Sequence, residues 1–88
     1  IIPKRHFDNY FELKSAELLA VNELLLKTKD KLRNEDPSIE GFNIGINQGV
    51  CAGQTIFHAH IHLIPRRKGD VELPSGGVRN VFPGKGGY

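Results

Sequence analysis

Hydrophobic patterning predicts one small domain of mixed helix and strand. Three features carry that expectation. Residues 15–33 repeat their apolar positions at helical spacing, while Gly41–Gln48 and Ile56–Ile64 alternate apolar with small or polar residues as half-buried strands do. The chain has 88 residues, enough for a single domain that buries only about 60–65% of its unfolded surface.

Ile1 and Ile2 read as the last residues of a strand, and Pro3, which lacks an N–H, ends its pairing. With no methionine at its start, the chain is expected to begin part-way through a domain. Lys4-Arg5-His6 makes a basic exit, and Phe7 to Lys14 suits a turn or short helix. Ser15 is the expected N-cap of the long helix, with Glu17 in its first turn, where a negative charge favours the helix dipole. Leu18, Val21, Leu25 and Leu32 share one face, widened by Leu24. Lys27, Lys29, Lys31 and Arg33 crowd the end the dipole prefers positive, and Asp36-Pro37 closes the element. The first alternating strand sets Phe42, Ile44 and Ile46 against Asn43, Gly45 and Asn47. A glycine-containing loop from Gly49 to Thr55, with Cys51 in it, leads to the second strand, residues 56–64. Residues 65–88 are expected to form a basic, glycine-rich tail without regular structure, in which Val78 and Val81-Phe82 would anchor on a partner surface.

A net charge of +2 is too small to argue for nucleic acid or a membrane surface, yet it is compatible with a polyphosphate ligand that needs only a local positive field. The single cysteine rules out an internal disulfide framework and suits a reducing compartment, so a cytoplasmic location is expected. No apolar run approaches the roughly 20 residues that span a bilayer.

The chemistry concentrates in His58, His60 and His62, which alternate with Ala59, Ile61 and Leu63. Side chains on a strand switch faces at each residue, so the three imidazoles share one face and the aliphatic residues pack behind them. A polar, solvent-facing surface explains one histidine better than three in register. A three-histidine metal cage fits poorly, because same-face neighbours on a strand stand roughly 6.6 Å apart and zinc needs its ligand nitrogens within about 2.1 Å. No Cys-x-x-Cys or His-Glu-x-x-His pattern supplies further ligands, and a metal site ranks second. A central imidazole acting as nucleophile on phosphorus, flanked by imidazoles that orient it and donate to an anion, suits the spacing better. Gly53 permits close backbone approach, and Gln54 and Thr55 bring an amide and a hydroxyl to the strand entrance. Asn47 ends the preceding strand on its polar face. Taken alone, Gln54 and Thr55 would be ordinary loop residues satisfying the backbone; beside three histidines they become candidates for phosphate contact.

Residues 52–66, Ala-Gly-Gln-Thr-Ile-Phe-His-Ala-His-Ile-His-Leu-Ile-Pro-Arg, resemble the signature of the histidine-triad (HIT) family. That signature has three histidines alternating with hydrophobic residues, preceded by Gly-Gln-Ser/Thr. Ile1-Ile2-Pro3-Lys4-Arg5-His6 is similar to the family's upstream V-I-P-K-x-H segment, and Gly45-Ile46-Asn47-Gln48-Gly49 resembles its phosphate-contacting strand end. Pro74 to Arg79 and Pro83-Gly84-Lys85 look like an extension common among bacterial and archaeal members. The resemblance implies an α+β fold, an antiparallel sheet flanked by α-helices, of which residues 1–88 would be the later part, without the first strands. It also implies a homodimer joined at a strand and helix surface.

For the site, the resemblance implies that His60 attacks the α-phosphate of an adenine nucleotide and becomes transiently nucleotidylated. His58 and His62 would orient it and bind phosphate. Gln54 and Thr55 would contact the phosphate and the leaving-group oxygen, Gly53 would allow close approach, and Asn47 would hold the α-phosphate. His6 matches a fourth histidine thought to assist the triad, against the alternative of a plain surface histidine. No cofactor is required, although a divalent cation on the substrate phosphates is compatible with this chemistry. Ala-Gly-Gln-Thr followed by Leu-Ile-Pro-Arg is closer to the dinucleoside polyphosphate hydrolases than to the phosphoramidase branch. The expected activity is therefore hydrolysis of a diadenosine polyphosphate or similar nucleotide. The alternatives are an adenosine phosphoramidase and a nucleotide- or metal-binding module without turnover.

Overall fold

The computed structural model describes residues 1–82, so the end of the expected tail, residues 83–88, lies outside the described residues. A short 3-10 turn at Tyr10–Glu12 follows the N-terminal segment, capped by Asn9, whose side chain accepts from the Phe11 N–H. Helix α1 spans Ser15–Glu35, and strands β1 (Ile39–Gly45) and β2 (His62–Arg67) form a two-stranded antiparallel sheet. One helix with an antiparallel sheet is the α+β architecture expected.

The N-cap of α1 is Lys14, one residue before the expected Ser15. Glu17 explains the shift, since its carboxylate reaches back to the Lys14 N–H at 2.9 Å and satisfies a donor the helix leaves unpaired. Arg5 pairs with the same carboxylate, 2.9 Å from Nη2 to Oε1, and its guanidinium lies 4.1 Å from the centre of the Phe7 ring. The Arg5 hydrogen bond and then the Lys14 N–H hold the Glu17 carboxyl below its ordinary range. Val21 is the buried residue of α1, whereas Leu18, Leu19, Leu24 and Leu26 remain exposed.

The strand carrying the triad is displaced from its expected place. The regular strand is His62–Arg67 rather than 56–64, so Pro65-Arg66-Arg67 belongs to the sheet and not to an irregular tail. The first alternating strand also starts earlier and ends sooner than 41–48, at Ile39 and Gly45. These two shifts have one cause: Gly45 pairs with His62, and β1 offers nothing to residues before it. Residues 59–61 pair instead with the N-terminal segment, through Ala59 N–H to Phe7 O at 2.7 Å and Ile61 N–H to Ile1 O at 2.8 Å. Pro65 is tolerated opposite Phe42 because a two-stranded sheet has only edge strands. A further 3-10 segment, Gly77–Val81, follows the sheet where irregular chain was expected, and its Val78 and Val81, with Phe82, are exposed.

The sheet separates two functions. Phe42, Ile44 and Leu63 line a shallow cleft with Leu25 and Leu26 of α1. His62, Ile64 and Arg66 alternate with Leu63 and so face the other way. Asn43 is on that second face, where its side-chain oxygen accepts from Arg66 Nη1. Among the described residues the buried apolar core is Phe7, Val21, Ile39, Ala59 and Ile61. No helix among the described residues is long and apolar enough to cross a membrane.

Candidate active site

Ala59 and Ile61 are almost completely buried, at 2% and 3% exposure, while His58, His60 and His62 are partly exposed. The alternation therefore survives ahead of the regular strand, because the backbone bonds to Ile1 and Phe7 keep that stretch extended. The imidazoles do not form a uniform row. His60 and His62 meet edge to face with ring centroids 4.9 Å apart, and His58 meets His6 in the same manner at 5.0 Å.

Two hydrogen bonds fix ring chemistry. His60 Nδ1 lies 2.9 Å from the backbone oxygen of His58. A carbonyl can only accept, so Nδ1 carries the hydrogen and the neutral ring keeps its lone pair on Nε2. His58 shows the reverse arrangement: its Nε2 donates to Pro3 O at 2.9 Å, which leaves Nδ1 as the nitrogen with the lone pair.

The loop ahead of the triad is built around two glycines in the left-handed region, Gly49 and Gly53, both with φ of 91°. Val50–Ala52 makes a 3-10 turn between them. Gly53 lies beside Asn47: a Cβ placed there would stand 3.5 Å from the Asn47 Nδ2. Thr55 and Asn47 are exposed, and Gln54 is buried. All four hydrogen-bonding positions of the Gln54 amide are occupied within the protein. Its oxygen accepts from Gly49 N–H at 2.8 Å and from Gln48 Nε2 at 3.5 Å. Its nitrogen donates to Asp8 O at 3.0 Å and Ile56 O at 3.2 Å. In this arrangement Gln54 holds the loop from inside.

Sequence reasoning placed Gln48 in the segment resembling the family's phosphate-contacting strand end but gave it no role of its own; its oxygen accepts from the Tyr10 N–H. Its place directly after Asn47 was the available signal. It also missed the Pro3 carbonyl, which no side-chain pattern could reveal. The arginines following the triad are committed elsewhere. Arg66 makes a two-pronged pair with Asp70, at 2.7 and 2.9 Å, and Arg67 pairs with Asp36 at 2.6 Å. Among the described residues no group of three or more His, Cys, Asp or Glu side chains converges as metal ligands do. A cleft of about 480 Å³ runs between Ile1–Arg5 and one side of α1 and is not lined by the triad.

Known proteins resemble the chain over most of its length. The chain is 37% identical over 82 residues to an uncharacterised HIT-like protein of Methanocaldococcus jannaschii, covering 92% of this chain and 62% of that one. It is 37% identical over 70 residues to the asymmetrical bis(5'-nucleosyl)-tetraphosphatase of Schizosaccharomyces pombe, covering 80% of this chain and 38% of that protein. A zinc-bound histidine triad family protein from Mycobacterium smegmatis superimposes with a TM-score of 0.68 at 33% identity, over 78% of this chain and 50% of that chain. The chain thus spans between 38% and 62% of the length of these relatives. The HIT domain profile matches residues 1–69, which take in the triad, the loop before it and the N-terminal segment that braces both: the chain belongs to the histidine-triad family.

Proposed function

We propose that the protein hydrolyses an adenine nucleotide, such as a diadenosine polyphosphate, at its α-phosphate through a nucleotidyl group on His60. The observation that carries this reading is the hydrogen bond from His60 Nδ1 to the His58 carbonyl, which puts the lone pair on Nε2 at the partly exposed ring. The tetraphosphatase relative supports phosphoanhydride chemistry at a nucleotide. Nε2 attacks the α-phosphorus, the P–O bond to the leaving nucleotide or polyphosphate breaks, and the departing oxygen takes up a proton. Water then cleaves the P–N bond, releasing a nucleoside monophosphate and restoring His60.

Asn47, Thr55 and the backbone at Gly53 receive phosphate oxygens, and His62 braces the nucleophile from the side. His58, its Nε2 held by the Pro3 carbonyl, orients the triad from the other side and offers its outer edge to phosphate, with His6 packed against its ring. Gln54 acts on the loop rather than on the phosphate, since its amide is fully engaged. The triad needs no resident cofactor, and a divalent cation arrives with the polyphosphate.

His60→Ala should lower turnover by at least about a thousandfold while nucleotide affinity stays within a few-fold. Rapid acid-free quenching of the wild type should trap one nucleotidyl group per chain on His60. Diadenosine polyphosphates and an adenosine phosphoramidate, compared side by side, identify the leaving group. Near-normal turnover in His60→Ala would replace the nucleophile by a directly attacking water. The zinc-bound relative favours a second reading, a metal-binding module. Tight stoichiometric zinc, lost with His60→Ala and unaccompanied by turnover, would establish that one instead.

A further inference from the structure

The loop that presents Asn47, Gly53 and Thr55 is closed by its own backbone but not anchored by it. Gly49 and Gly53 both sit at φ of 91°, where glycine is unstrained but also free to leave, and the turn between them is a three-residue 3-10 segment. Its internal backbone bonds, Ala52 N–H and Gln54 N–H to Gly49 O, both at 3.1 Å, and Gly53 N–H to Val50 O at 2.9 Å, close the turn on itself. They do not tie it to the rest of the protein. Two glutamine side chains make that tie.

Gln48 and Gln54 touch each other and reach the same stretch of chain. The Tyr10 N–H points at Gln48, and because an N–H can only donate, the atom facing it is Oε1. Gln48 Nε2 is thereby turned toward Gln54, where it lies 3.5 Å from Oε1. That oxygen is held in place by the Gly49 N–H at 2.8 Å, while Gln54 Nε2 donates to Asp8 O. Neither amide can flip without setting like against like. Segment 8–10 is in turn continuous with the 3-10 turn leading into α1.

We propose that Gln48 is a positioning residue of the phosphate site, one half of a two-amide clamp with Gln54 that locks the glycine-hinged loop 47–55 to segment 8–10. Gln48 touches no substrate; it acts through the loop that receives the phosphate. The inference rests on the functional reading above in that the loop's cargo is taken to be a nucleotide phosphate.

Gln48→Met removes both hydrogen bonds at nearly constant volume. AMP should bind about tenfold more weakly to this variant, about 1.4 kcal/mol. KM for the dinucleotide should rise by a similar factor, with kcat changed no more than about threefold, because His60 and its bond to the His58 carbonyl are untouched. Amide exchange supplies a readout independent of turnover. Protection of the Gly49 N–H, whose own partner Gln54 is unaltered, should fall along with that of Tyr10. Unchanged AMP affinity and unchanged Gly49 protection would overturn the clamp, as would a drop in thermal stability with KM intact. Absence of a trapped nucleotidyl-histidine in the wild type would sink the functional reading alone. The clamp would then still be decided by AMP binding and by exchange at Gly49.

Discussion

At His60 the tautomer follows from a partner that can only accept, and at His58 the same argument gives the opposite nitrogen. Both partners are backbone oxygens, so substitution elsewhere cannot exchange them as long as the chain holds its path. The glycines show where that path is most exposed to change. Gly53 stands at φ of 91° with the Asn47 amide 3.5 Å from its missing Cβ, whereas a Cβ at Gly45 would meet nothing within 4 Å. Space is adequate at both, so backbone strain separates them. Gly53→Ala should cost roughly 1–2 kcal/mol from the left-handed conformation alone, and it should weaken AMP binding as the loop shifts. Gly45→Ala should fall well below that cost. Urea unfolding of the two variants checks this, and equal midpoints would mean that the loop relaxes to an ordinary conformation without penalty.

At the scale of elements, α1 and the alternation of the triad were legible because each is a periodic side-chain signal extending over several residues. The position of β2 was not, because regular pairing depends on where the partner strand stops, and β1 stops at Gly45. The sequence pattern correctly set His58, His60 and His62 against buried Ala59 and Ile61, but residues 56–58 bend instead of continuing a strand, and Ile56 and Phe57 are exposed. It could not say that residues 59–61 would pair with Ile1 and Phe7 rather than with β1. Arg66 and Arg67 were read as tail charge for a similar reason: their carboxylate partners are brought to them by the fold. Asp36, at the C-terminus of α1, accepts from the Ser38 hydroxyl and from Arg67, which lower its carboxyl to about 2 from an ordinary 3.8. Asp70 is held below its ordinary range by Arg66. Both depressed carboxyls favour the folded state when ionised. Their contribution is complete above the unfolded-state value near 3.8 and, for Asp36, is lost as pH falls through about 2. Partial exposure screens these pairs, so the effect is modest. Thermal melts from pH 5 to pH 2 should show Asp36→Asn losing less stability on acidification than the wild type. Parallel curves would remove Asp36 from the acid response.

For the whole molecule, the balance of buried and exposed apolar surface argues for self-association. The described residues bury only Phe7, Val21, Ile39, Ala59 and Ile61 as hydrophobic core, while Leu19, Leu26 and Ile44 are each more than half exposed. Among the described residues the sheet has two strands, a number marginal by itself, and each strand has an edge without a partner strand. Leu26 and Ile44 line one shallow cleft between α1 and the sheet, on the face opposite the histidines, so a second copy seated there would cover apolar surface without blocking the triad. We therefore expect a homodimer. Light scattering at micromolar concentration should give twice the chain mass, and the melting temperature should rise with protein concentration, since dimerisation stabilises by mass action. Leu26→Glu places a charge in that cleft. It should shift the scattering mass toward the monomer and remove most of the concentration dependence, while the His60 nucleophile remains available for nucleotidylation. A wild-type protein that scatters as a monomer throughout, with a melting temperature independent of concentration, would refute the dimer and leave the exposed face of α1 without a self-partner.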